Sequence, residues 1–238
     1  AETRIKYAPS TKFYLADKNA GKPWTTRLPF PVHVVERVET HDHISRNRFV
    51  ARYAYHDGYF DGEEREFRGF GMVEQWDTEE LAALTGDGTL PPATNVSMAS
   101  HVPPVLTRTW FHTGVRRPDT ALPSGLTLEE EREACRALKG SMLRQEVYAL
   151  DGTAKEQHPY TVSEQNQSVR LEQTRGGNRH AVFLSHPHEV VTYHYERNLD
   201  DPRVQHALTL EVDAFGNVLK AAAIGYGRRQ ADLSLPLQ

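Results

Sequence analysis

Two histidine clusters are the first places where this chain's residues could do chemistry. His41 and His43 flank Asp42, and His186 and His188 flank Pro187 just ahead of Glu189. Alternate residues of a strand lie on one face, so either pair could offer two imidazoles to one ion. His186, His188 and Glu189 together would suit a metal-dependent hydrolase. A catalytic zinc needs three protein ligands and a structural one four, and no second cluster of matched type and spacing completes a set. With 12 histidines in 238 residues such spacing arises by chance, and the expected metal ligands are none.

Carboxylates are the next candidates. They crowd Asp57 to Glu66 and Glu129 to Glu133, and two carboxylates held about 5–10 Å apart can hydrolyse glycosides. Glu129, Glu130, Glu131 and Glu133 fall at the start of a helical pattern, where the helix dipole favours anions. Glu63, Glu64 and Glu66 interleave with Arg65 and Arg68, which reads as a ladder of opposite charges on a solvated sheet face. The sequence holds no Gly-x-Ser-x-Gly elbow, phosphate loop, dinucleotide glycine fingerprint or Cys-x-x-Cys. Cys135 is the lone cysteine and reads as a small buried hydrophobe on a helix. No catalytic residue, cofactor or enzymatic activity is expected.

The elements that would carry these residues are mostly strands. Period-two alternation marks Phe49 to Tyr55, Gln145 to Leu150, Val190 to Tyr195 and Leu208 to Asp213, each giving one buried and one wet face. Each run meets a turn: His56-Asp57-Gly58, Asp151-Gly152, the Asn198 to Pro202 loop, and Gly216-Asn217. Asp61-Gly62 marks a further turn, and Gly69-Phe70-Gly71 suits a bend or bulge. These strand-then-turn units form an irregular internal repeat of antiparallel character.

One clear helix, near 127–139, interrupts them. Thr127 and Glu130 make a capping box, Leu128, Ala134, Cys135 and Leu138 an apolar stripe, and Gly140 a left-handed stop. A shorter helix is expected from Thr78 to Leu84. Gly86, Gly88, Pro91-Pro92 and Pro103-Pro104 make 86–104 a long loop. The interval of about 78–140 thus reads as a helical and loop insertion in a single segment covering 1–238.

Composition bounds the function. Hydrophobic residues make up 38% and charged residues 25%, enough for a globular core. The net charge is −4 with scattered basic residues, so nucleic acid is not an expected partner. No run approaches the roughly 20 apolar residues that cross a bilayer, and the mean hydropathy is −0.62. The opening Ala1-Glu2-Thr3-Arg4 lacks an initiator Met and a leader pattern, which suggests a segment cut from a longer chain.

The run from Tyr53 to Asp77, YAYHDGYFDGEEREFRGFGMVEQWD, resembles the signature stretch of the insecticidal toxin-complex (Tc) B subunit, in its middle/C-terminal region. Tyr7–Tyr14 (YAPSTKFY), Leu28–Val32 (LPFPV) and Val35–Val38 (VERV) resemble the lead-in to it. Gly140–Tyr148 (GSMLRQEVY), Tyr160–Glu164 (YTVSE), Asp213–Val218 (DAFGNV) and Tyr226–Arg229 (YGRR) extend the similarity downstream. The tyrosine-aspartate repeats are degenerate, with Tyr195-Glu196 in one unit and Phe215 as the aromatic of the last.

The resemblance implies a mainly β, RHS/YD-type curved sheet that serves as a shell segment of a secreted virulence toxin. Its partners would be the rest of the B subunit and the C component, whose cytotoxic effector the shell encloses. The A-component translocation channel would be an indirect partner, without direct membrane insertion of this segment. In that family self-cleavage belongs to the C component and A-binding to a β-propeller, so no catalytic residue carries over. An excised wall segment should keep open sheet edges, with terminal strands that pair poorly. The alternative reading is a carbohydrate- or protein-binding β module that uses Trp24, Trp110, Tyr59 and Phe60 as exposed platforms.

Overall fold

The computed structural model describes residues 1–44, 48–77, 103–118 and 120–230. Ten strands form one antiparallel sheet: β1 (Glu2–Pro9), β2 (His33–His41), β3 (Arg48–Asp61), β4 (Glu66–Trp76), β5 (Val105–Phe111), β6 (Met142–Ala149), β7 (Thr161–Gln173), β8 (Val182–His194), β9 (Arg203–Val212) and β10 (Val218–Tyr226). Spatial order follows chain order from β1 to β10, so every strand pairs with its sequence neighbours. The mainly β, antiparallel expectation is met.

The sheet is open. β1 pairs with β2 along its whole length, and β10 pairs with β9 from Val218 to Tyr226, yet neither has a partner on its outer side among the described residues. The expectation of open edges holds, whereas poor pairing of the terminal strands does not. Ladder pairs reach the last residues of both, with register shifts at Lys6/Tyr7 in β1 and on either side of Lys220 in β10.

Two helices are described. α1 (Ser10–Asn19) follows β1 and α2 (Leu128–Ala137) follows β5. α2 has the expected capping box: Glu130 N donates to the Thr127 hydroxyl and Thr127 N donates to the Glu130 carboxylate. Gly140 takes φ 83. Ala134, Cys135 and Leu138 are buried as expected, but Leu128 is 72% exposed.

α1 is absent from the sequence reading. Its end carries a readable signal, since Gly21 N donates to Lys18 O and Lys22 N to Asp17 O, with Gly21 at φ 75. This is a Schellman stop. Its start has no side-chain cap bond, and Pro9 occupies the capping position.

Three further expectations change. His56-Asp57-Gly58 does not turn the chain. β3 runs through to Asp61, with Asp57 at φ 53 inside the strand and its carboxylate receiving Thr25 N at 2.9 Å. The interval 78–140 contains β5, which pairs with both β4 and β6 and so belongs to the sheet. The helix expected from Thr78 to Leu84 and most of the 86–104 loop lie outside the described residues. The β9–β10 hairpin forms as expected on Gly216 at φ 86, but its apolar face is not buried: Leu210 is 61% exposed and Phe215 86%.

The core is small for the number of strands. Only nine hydrophobic side chains are buried among the described residues, and the named cluster is Ala8, Phe13 and Val34 with Trp24, Val32, Ala54, Tyr55 and Phe70 packed against it. The chain exposes 15062 Å². A compact monomer of its mass exposes about 10,800 Å², so the excess is about 1.4-fold.

Candidate functional site

The middle of the sheet carries charged and polar side chains on both faces, interleaved with apolar ones that include the buried Leu106 and Val162. Register sets Glu74 of β4 opposite Arg108 of β5, and Arg108 opposite Glu146 of β6. Arg108 Nε donates to Glu74 at 2.8 Å, and its guanidinium lies 5.4 Å from the centre of the Tyr148 ring. Tyr148 donates its hydroxyl to Glu146 at 2.8 Å, Arg144 Nε donates to the same carboxylate at 2.7 Å, and Arg144 also pairs with Glu164 across the strand boundary. Adjacent residues point to the opposite face. There Gln145 donates to Thr109 at 3.2 Å, and the Ser163 and Thr192 hydroxyls meet at 2.9 Å.

Every residue of β6 is half-buried, neither sealed in a core nor fully in water. A sheet with one dry face would alternate buried and exposed positions. Opposite charges directly across an antiparallel pair stabilise by roughly 0.2–1 kcal/mol each. The ladder therefore holds register without needing a core.

A second charged belt fastens α2. The pairing shifts from Tyr59↔Gly69 to Phe60↔Phe67, leaving Arg68 as the extra residue of a bulge. Gly69 takes φ 95 there, which meets the expectation of a bulge at Gly69-Phe70-Gly71. The bulge turns Arg68 inward: its side chain is 3% exposed, with Asp61 at 3.0 Å and Glu66 at 3.0 Å. Glu66 also receives Lys139 at 2.8 Å and Arg136 at 3.1 Å, while Arg132 pairs with Glu63. The expected Glu63–Glu64–Glu66 ladder with Arg65 is thus corrected. Apart from Arg68, the cations come from α2 (Arg132 and Arg136) and from Lys139 just after it.

The helix acids are also accounted for by structure. Glu130 receives Arg175 N at 2.9 Å beyond its capping role, Glu133 receives Ala181 N at 2.8 Å, and Glu131 pairs with Arg116. Backbone donors lower the Glu130 carboxyl, foremost the Thr127 amide and then that of Arg175. These bonds tie the β7–β8 connection to α2.

The histidine clusters do not assemble a metal centre. His41 is buried with its ring 4.5 Å from that of His43, and His43 faces Glu2 at 3.4 Å. In β8 the pairing moves from Asn166↔Glu189 to Gln167↔Pro187, so His188 is the extra residue of a bulge that interrupts the alternation between it and His186. Glu189 receives Asn166 Nδ2 at 2.7 Å and lies 3.1 Å from His206. Among the described residues no three His, Cys, Asp or Glu side chains gather to hold a metal ion.

The proposed aromatic platforms are likewise occupied. Trp24 packs edge-on against Tyr14 and Phe70 and donates its indole N–H to Asp17 at 2.6 Å. Phe60 packs on Phe30 at 5.0 Å, and Tyr59 and Trp110 are half-buried in β3 and β5. These four do not line one open groove, which removes the support for a binding module. Both edge strands carry exposed apolar residues, Ile5 and Tyr7 of β1 and Val218, Leu219, Ile224 and Tyr226 of β10, and others are spread over the interior of the sheet and its connections, such as Phe49, Val182 and Leu210.

An open sheet with wet faces and apolar free edges is the architecture of a part, not of a whole. Residues 1–114 match the family described as insecticide toxin TcdB middle/N-terminal region, and residues 133–238 match its middle/C-terminal region. The chain belongs to the TcdB insecticidal-toxin family. It forms the middle region of a Tc-toxin B subunit, and the run Tyr53–Asp77 falls within the middle/N-terminal match.

Among solved structures, a crystal structure of TcdB2–TccC3–Cdc42 matches at 33% identity and TM-score 0.76, covering 99% of this chain and 12% of the other. A Photorhabdus luminescens Tc holotoxin pore carrying a TccC3 mutation matches at 33% identity and TM-score 0.78, covering 97% of this chain and 12% of the other. TcdB2–TccC3 itself gives 33% and 0.76 over 99% of this chain. The chain thus spans about an eighth of the polypeptides it resembles. No curated protein matches it.

Proposed function

We propose that this segment is a non-enzymatic wall strip of a secreted Tc-type B component, and that its work is enclosure of a cytotoxic effector supplied by the C component. The observation that carries the reading is the two-faced polar sheet. A wall separates two aqueous spaces, so neither of its faces can be a dry core. The Glu74–Arg108–Glu146 ladder on one side and the Thr109–Gln145 and Ser163–Thr192 bonds on the other supply what such a sheet needs.

Its remaining partners are the flanking parts of the B subunit, met along the edges of β1 and β10, with the A-component channel reached only indirectly. An unpaired strand edge carrying exposed apolar residues is an aggregation hazard unless another strand or layer covers it. RHS/YD-type repetition fits the strand-then-turn units, degenerate as their tyrosines are. A polar inner face also suits cargo kept unfolded, because it offers no large apolar patch on which a core could form.

Limited proteolysis of the parent B polypeptide, co-produced with its C component, tests this. The effector should resist protease in the intact complex and become cleavable when residues 1–238 are deleted. An effector equally protected after that deletion, in a complex that still assembles, would refute enclosure by this strip.

A further inference from the structure

α1 and the segment after it are joined to the sheet outside the ladder. β2 pairs with β3 only from Arg48 to Arg52, which leaves the far end of β3 without a ladder partner on that side. Residues 24–30 cover it. Phe60 N donates to Arg27 O at 2.9 Å, the Thr26 hydroxyl donates to Gly58 O at 3.0 Å, and Thr25 N donates to Asp57.

Between this cover and the sheet sits one titratable bridge. His56 Nδ1 lies 2.7 Å from Asp17 Oδ2 on α1, and His56 Nε2 lies 3.5 Å from Glu74 Oε2 on β4. All three side chains are 15–17% exposed. Asp17 Oδ2 already receives the Trp24 indole N–H at 2.6 Å, and Glu74 Oε1 receives Arg108 of β5 at 2.8 Å. These are the charged groups facing the imidazole from α1, β4 and β5.

Nδ1 hydrogen-bonds the Asp17 carboxylate, which only accepts, so that nitrogen carries hydrogen. Nε2 has no hydrogen-bond partner and lies 3.5 Å from the Glu74 carboxylate, where a second N–H is favoured by charge. Only the imidazolium carries both. It also brings the charge of the cluster to zero, with Asp17 and Glu74 against Arg108 and His56. A neutral ring keeps one N–H, turns a lone pair toward the other carboxylate, and leaves a net charge of −1 in a half-buried place.

We propose that His56 is a proton-operated latch, holding α1 and residues 20–32 on the sheet when doubly protonated and loosening them when it loses a proton. Burial alone would push the His56 pKa down. The contact with the Glu74 carboxylate, the hydrogen bond to Asp17 and the charges of both outweigh it and raise the pKa above its ordinary 6.5. The sign follows. The stabilisation is complete below 6.5 and is lost as pH rises through the higher folded value.

Hydrogen–deuterium exchange of the full-length chain across pH 6 to 9, corrected for intrinsic rates, reads this out. Peptides covering residues 10–32 should lose about tenfold in protection on the alkaline side, the loss expected of one charge-assisted hydrogen bond, while peptides from β7 and β8 stay level. His56→Gln should abolish the step. Asp17→Asn, which keeps an acceptor for the Trp24 indole, should move the step to lower pH, and it serves if His56→Gln fails to fold. A flat profile in the parent chain, or a step unchanged in either variant, overturns the latch.

Discussion

At Gly58 a single added methyl group would meet packed side chains on three sides. A Cβ built there stands 2.8 Å from Trp24 Cζ3, 2.9 Å from Leu28 Cδ2 and 3.1 Å from Phe70 Cε1. The first two distances are shorter than side chains accept, and all three groups are packed: Trp24 against Tyr14 and Phe70, Leu28 in the strip covering the edge of β3. Overpacking of this kind costs about 1–3 kcal/mol. Replacing glycine also removes freedom from the unfolded chain, which returns about 0.4–1 kcal/mol. Gly58→Ala should therefore destabilise by about 1–2 kcal/mol.

Gly225 provides the control, since it also lies in a strand, at β10, but a Cβ there meets nothing within 4 Å. Gly225→Ala should be neutral or slightly stabilising, by up to about 1 kcal/mol. Urea unfolding followed by tryptophan fluorescence compares the two, and the gap corresponds to about 0.5–1 M in midpoint. Equal midpoints for the two variants would refute the claim that Trp24 and Leu28 press on the β3 backbone.

Arg68→Ala should cost about 3 kcal/mol, because it empties a buried site and leaves Asp61 without its 3.0 Å partner. Arg68→Met should recover part of that loss by filling the space, and thermal unfolding of both variants checks the order. Thr127→Ala removes one half of the capping box and should cost about 1 kcal/mol, seen as faster amide exchange confined to residues 128–137 and the Arg175 contact. Leu219→Lys, at a side chain 58% exposed on the open edge, should reduce light scattering at high protein concentration without shifting the unfolding midpoint.

The parts of the fold legible in the sequence are those fixed by local chemistry. The capping box at Thr127 and Glu130, the Gly140 stop and the hairpin at Gly216 need only neighbours a few residues away. Alternation found β3, β6, β8 and β9 for the same reason, and passed over β1, β2, β5 and β7. It misjudged Leu210, because alternation reports which residues share a face and not whether anything covers that face. His56-Asp57-Gly58 carried turn residues, yet the long-range bond from Thr25 N to the Asp57 carboxylate holds that positive φ within a straight-through strand.

α1 escaped notice because its apolar residues do not repeat at helical spacing, although the Ala20-Gly21 ending was there to be read. At the candidate site, the ladder across β4, β5 and β6 was invisible. Glu74, Arg108 and Glu146 are 34 and 38 residues apart and meet only through register. The contact between Lys139 and Glu66 spans 73 positions and needs the same knowledge.

Strand order that follows chain order has an energetic consequence. In the ladder each strand pairs only with the strands before and after it, so stability along the sheet is close to a sum of neighbouring terms, as in repeat proteins, with α2 adding ties from the β3–β4 tip to the β7–β8 connection. Burial cannot spread a local defect through a shared core, because the named core lies beside α1 and does not reach β7 to β9. Damage at Gly58 should then open α1, the 24–30 strip and the end of β3, while exchange in β7 to β9 stays unchanged. A wall built this way tolerates a weak strip without losing the whole. If Gly58→Ala raised exchange evenly from β1 to β10, the sheet would be a single cooperative unit and that reasoning would fail.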